Sequence, residues 1–169
     1  MSEHIEMIVG SGSTSRQKGD SVSLPTEIYE KMLSSSSDTI YTVKITNLLT
    51  DGYVYGKVGE SHQRSSTILM PKWMKNVLSV RPYHLVQIEH VQLPKIKKVI
   101  FKISETVDDI TSVLEYELMN TSVLYIGKQI EVKIFDVCIQ IEVINIFNRS
   151  MISINCGIVT FDDIEFDIL

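Results

Sequence analysis

Leu24-Pro25-Thr26-Glu27-Ile28-Tyr29-Glu30-Lys31-Met32 and Met70-Pro71-Lys72-Trp73-Met74-Lys75-Asn76-Val77-Leu78 are the two stretches whose reading decides the fold. Leu24, Pro25, Ile28 and Met32 recur 46 residues later as Met70, Pro71, Met74 and Leu78. In each stretch proline suits the first turn of a short helix, where its missing N–H has no intrahelical partner to lose, and the apolar residues return at i+3/i+4 spacing. A polar turn follows each helix, Ser34–Asp38 in one and Ser79–Pro82 in the other. Period-2 strands come next, marked by Tyr41, Val43 and Ile45 and by Val86 and Ile88. The spacing predicts a duplicated β-α-β unit. Neither copy can bury a one-sided sheet alone, so the two are expected to close on each other as a small barrel.

Outward from the repeat, Ile5–Val9 reads as a further strand. The tract Gly10-Ser11-Gly12-Ser13-Thr14-Ser15 with Lys18-Gly19-Asp20 reads as a flexible loop over residues 10–20. After Leu93-Pro94 the pattern changes. Val99–Ile103 reads as a strand, and Asp108-Asp109 opens a helix with Ile110, Val113, Leu114 and Leu118 on its apolar face and Asp109 as N-cap. Three strands follow: Ile130/Val132/Ile134, then Val137/Ile139/Ile141/Val143 alternating with Cys138/Gln140/Glu142, then Ile152/Ile154/Cys156. The expected organisation is a barrel subdomain over residues 1–102 and a smaller α+β subdomain over residues 103–169.

Composition agrees with a folded, strand-rich chain. Of 169 residues, 44% are hydrophobic and 22% charged, which excludes wholesale disorder and a rod. There are 23 Ile and 17 Val but no Ala, a bias toward strand that also matches the codons of a very AT-rich genome, such as that of a giant virus or a protist. No apolar run approaches a membrane span, and the start of the chain lacks a basic-then-apolar signal, so a cytoplasmic protein is expected, in the host cytosol or a virion if viral, with the nucleus also open. The two cysteines, Cys138 and Cys156, suit a reducing compartment, the first as a surface thiol and the second as a core residue.

Catalytic patterns are missing from the sequence. His4, His62, His84 and His90 have neither an HExxH frame nor carboxylates at ligand spacing, so no metal and no other cofactor is expected. Gly10-Ser11 and Gly12-Ser13 complete neither a phosphate loop nor a nucleophile elbow. Asp162, Asp163, Glu165 and Asp167 read as solvated end charges. The lone tryptophan, Trp73, is expected to pack in the core. Residues 1–102 carry 13 Lys+Arg against 9 Asp+Glu, and residues 103–169 carry 3 against 12, giving +4 and −9. That falls short of a nucleic-acid stripe. It does predict docking at the seam of a bipolar module, with Lys95, Lys97 and Lys98 as the basic partner-binding wall; lysines guarding a strand edge is the competing reading.

Leu24-Pro25, Ile68-Leu69-Met70-Pro71-Lys72-Trp73-Met74 and Val91-Gln92-Leu93-Pro94-Lys95 together resemble the N-terminal domain of the ubiquitin fusion degradation protein 1 family. The Pro-x-Trp-Met helix is the most specific of these motifs. The likeness continues through Asp109-Ile110, Val113-Leu114-Glu115, Leu124–Gly127, Ile130–Val143 and Thr160–Phe166. The resemblance implies a double-psi β-barrel followed by an α+β subdomain. It also implies a non-enzymatic adaptor that binds ubiquitin or polyubiquitinated proteins and, paired with nuclear protein localisation protein 4, serves the AAA segregase valosin-containing protein. Full family members carry a long disordered C-terminal tail that grips these partners; this sequence ends at Leu169, which reads as a tail-less homologue. A structural or virion-associated protein reusing the barrel is the alternative reading.

Overall fold

The computed structural model describes residues 3–14, 19–35, 40–160 and 164–169. Two compact units, Met1–Gln92 and Leu93–Leu169, each enclose an apolar core of their own. The division falls ten residues before the expected one, at Gln92/Leu93 rather than at residue 102.

The first unit runs β1 (His4–Val9), β2 (Ser21–Pro25), α1 (Thr26–Ser35), β3 (Thr42–Asn47), β4 (Tyr53–His62), β5 (Thr67–Ile68), α2 (Lys72–Leu78) and β6 (Leu85–Val91). Its sheet has the order β2-β4-β3-β6-β1-β5. The ends of that order meet through Ser23 and Leu69, whose N–H groups donate to each other's carbonyls at 2.9 and 3.0 Å. These residues stand 46 apart, so the barrel closes where the repeat meets itself. The halves interleave: β1 runs parallel to β5 of the other half, β4 runs parallel to β2, and β3 pairs antiparallel with β6. This is a double-psi β-barrel.

The symmetry extends to single hydrogen bonds. Ile8 N–H donates to Ser66 O and Lys57 N–H to Asp20 O, both at 2.8 Å; Val9 N–H donates to His84 O at 2.9 Å and Val58 N–H to Tyr41 O at 2.8 Å. Equivalent residues are thus 49 apart in the first strand (Val9, Val58), 46 in the second (Asp20, Ser66) and 43 in the third (Tyr41, His84). The first half is three residues longer in each of two places, the glycine-serine tract and helix α1, which has ten residues against seven in α2. The repeating unit is therefore β-β-α-β, one strand more than the expected β-α-β, because β4 was not anticipated as the counterpart of β1.

The proline-headed helices are as expected, with one shift: Pro71 caps α2 from outside, its carbonyl accepting from Met74 N–H at 3.1 Å, and does not sit in the first turn. Met74 and Leu78 of α2 are fully buried with Val43, Ile45, Val86 and Ile88, whereas Ile28 and Met32 of α1 are only half-buried against the same core. Lys75 lies across the glycine-serine loop, where its Nζ donates to Gly10 O at 3.3 Å and Gly12 O at 2.8 Å; burial pulls its pKa below the usual lysine value.

The second unit runs β7 (Ile96–Ile103), α3 (Ile110–Met119), β8 (Val123–Tyr125), β9 (Gln129–Ile134), β10 (Val137–Asn148), β11 (Ser153–Ile154), β12 (Cys156–Ile158) and β13 (Glu165–Ile168). One sheet is ordered β11-β10-β7-β13, with β9 also paired to β10, and β8 pairs with β12 separately. Ile139, Ile141 and Val143 of β10 join Phe101 of β7 and Leu114 and Leu118 of α3 in the core, as their periodicity predicts. Val137 does not: the hairpin runs past the core and leaves it 47% exposed. Asp109 holds the N-cap position at φ 56° but forms no cap hydrogen bond; its Oδ1 accepts from Ser112 Oγ at 2.9 Å. The strand expected through Ile152, Ile154 and Cys156 is broken at Asn155, so that β11 serves β10 and β12 serves β8. Cys156 is consequently half-buried, while Cys138 is exposed as expected.

Candidate partner-binding surfaces

Lys97 and Lys98 lie on β7, which is an interior strand between β10 and β13, so neither guards an edge. A register shift opposite Phe147 and Asn148 places a bulge here, and both side chains leave the core side between buried Ile96 and Val99. Each meets an acid from the end of the chain: Lys97 Nζ is 3.4 Å from Glu165 Oε1, and Lys98 Nζ is 2.6 Å from Asp167 Oδ2. That hydrogen bond to Asp167 raises the Lys98 pKa. A raised lysine pKa contributes stability that is whole below 10.5 and lost as pH climbs through the folded-state value, so this pair supports β13 throughout the neutral range. Lys95 remains exposed, its backbone bridging to Ile158.

Divided at Gln92/Leu93, the barrel carries 9 basic and 9 acidic residues and no net charge, and the second unit carries 7 and 12 for a net −5. The polarity of +4 against −9 came from assigning Lys95, Lys97, Lys98 and Lys102 to the barrel. Their own unit supplies the counter-charges for two of them. Lys97→Glu with Lys98→Glu should therefore set like charges against Glu165 and Asp167 and loosen β13. Amide exchange in Glu165–Leu169 should accelerate at least about tenfold in the double variant, and unchanged protection there would show that the pairs are ornamental.

Three of the four histidines have Nδ1 engaged locally. His62 Nδ1 accepts from Arg64 N–H at 3.0 Å, His84 Nδ1 from Arg81 N–H at 3.3 Å, and His4 Nδ1 lies 2.8 Å from Gln87 Nε2. Among the described residues no group of three or more His, Cys, Asp or Glu side chains is placed to hold a metal ion. Asp162 and Asp163 lie outside the described residues.

Two features of the second unit escaped the sequence reading. The tip of the β9–β10 hairpin is the pair Phe135-Asp136, with Phe135 at φ 53° and 94% exposed. Hairpins fill this left-handed slot with Gly, Asn or Asp, so an aromatic there was the available signal. The other feature is a groove of about 450 Å³ beside α3 and β13, lined by Glu115, Tyr116, Met119, Thr160, Ile164 and Phe166 among others. Lys128, by contrast, is a buried structural cation, its Nζ donating to Val123 O at 2.9 Å.

The family model for the N-terminal subdomain 1 of ubiquitin fusion degradation protein UFD1 matches residues 3–94, the barrel from its first strand to its last with three residues beyond. The chain belongs to the UFD1 N-terminal domain family. The matched span ends within two residues of the division at Gln92/Leu93, so family and structure agree on where the barrel stops. A comparison with curated proteins finds no significant match.

Proposed function

We propose that this chain is a non-enzymatic adaptor that reads ubiquitin on proteins destined for the valosin-containing protein segregase. The observation that carries the reading is the UFD1 subdomain match across the whole barrel. Lys95, exposed and without an ion-pair partner among the described residues, is the member of the lysine trio still available to an acidic partner. Pairing with nuclear protein localisation protein 4 and residence in the cytosol or nucleus belong to the same proposal.

Recognition of each single ubiquitin should be weak, with affinity gained by avidity along a chain. Titration of the isotope-labelled protein with monoubiquitin and with defined-linkage ubiquitin chains is the test. Shifts that saturate at least about tenfold earlier with chains than with monoubiquitin are expected. Spectra unmoved by any of these ligands would defeat the proposal.

A further inference from the structure

Phe135 is unfavourable twice over in the isolated chain. An aromatic residue at φ 53° is strained where glycine would be relaxed, and its ring is left in water. The groove beside α3 has the complementary character: Tyr116, Met119, Ile164 and Phe166 surround a space ample for a benzyl group, and Tyr116 and Met119 are themselves more than half exposed. The ring cannot fill the groove of its own unit. Phe135 belongs to the β9 edge of the sheet and Phe166 to the β13 edge, with β10 and β7 in between.

We propose that two copies of this chain associate by seating Phe135 of one in the α3–β13 groove of the other. Charge favours this occupant. Lys133 stands two residues before Phe135 on the exposed side of β9, Glu115 lines the groove, and neither has an ion-pair partner among the described residues. Exchange of fingers about a two-fold axis closes the pair with both grooves filled. This association involves no ubiquitin and stands apart from the adaptor reading.

Sedimentation of the full chain from about 5 to about 500 µM should show reversible self-association. Phe135→Gly should weaken it at least about tenfold while raising the denaturation midpoint, since the substitution removes both the strain and the exposed ring. Glu115→Lys and Lys133→Glu should each weaken association, and combining them should restore it to within about threefold of the parent. A monomer across the whole range overturns the proposal, as does parental association in Phe135→Gly or a charge-swapped variant no better than its worse single parent. The ubiquitin titration repeated on Phe135→Gly should be unchanged, which keeps the two readings separable.

Discussion

Phe101→Ala is expected to lower the free energy of unfolding by about 3–5 kcal/mol, the range found when a large aromatic is cut from a rigid core. Phe101 has no solvent exposure and is the bulkiest fully buried side chain among the described residues. It sits mid-strand on β7, opposite Val143 of β10 on one side and Ile168 of β13 on the other, with the Phe166 ring 6.3 Å away. Its core neighbours are Val, Ile and Leu side chains on hydrogen-bonded strands and α3, which can collapse only partly into the space. Loss on this scale is a large share of the 5–15 kcal/mol that typically holds a domain together, roughly. Phe101→Leu, which keeps most of the volume, should cost about 1–1.5 kcal/mol. Urea denaturation of both variants makes the check, and a loss under about 1 kcal/mol for the alanine variant would mean that the second core is not organised around this ring.

Local patterns carried the fold a long way. Proline followed by apolar residues four apart marked both barrel helices, and strict alternation marked Ile139, Ile141 and Val143 as buried. β4 was illegible for a physical reason. Its inward positions are Val54, Gly56 and Val58 and its neighbours include Tyr53 and Tyr55, so the contrast between faces vanishes. Gly56 is required there, because a Cβ would come within 2.9 Å of Asp20 O and 3.0 Å of the Met74 methyl. A glycine that breaks the pattern in the sequence is what lets β4 close against the first half.

The ion pairs of the lysines were hidden for a different reason. Lys97 and Lys98 look like a free basic patch because their partners, Glu165 and Asp167, are almost seventy residues away and arrive by a parallel pairing that no local periodicity announces. The same pairing explains why the charge division looked bipolar: four lysines of the second unit lie at its entry, and the acids that pair with Lys97 and Lys98 lie at its end. Surface sites were least legible of all. Phe135 carried its signal in turn chemistry, which matters only once the Ile134–Val137 pairing that makes it a two-residue tip is known.

Trp73→Ala should destabilise by about 2–4 kcal/mol, below the full cost of deleting a buried aromatic because the indole is only partly enclosed. The ring packs against the barrel core from α2, and its Nε1–H donates to Gly19 O at 2.6 Å across 54 residues of sequence. That bond fastens the entry to β2, since the next residue, Asp20, accepts Lys57 N–H of β4 through its carbonyl. The side chain therefore supplies two separable contributions, apolar contact and a strap on the parallel β2–β4 pair. Trp73→Phe retains most of the first and removes the second, and should cost about 1–1.5 kcal/mol. Amide exchange distinguishes them: Lys57 should lose protection in both variants, while the amides of β6, which pairs with neither β2 nor β4, should weaken only in the alanine variant. A loss under about 1 kcal/mol for Trp73→Ala, with Lys57 still protected, would remove Trp73 from the framework and leave it a contact residue on the family's most specific helix.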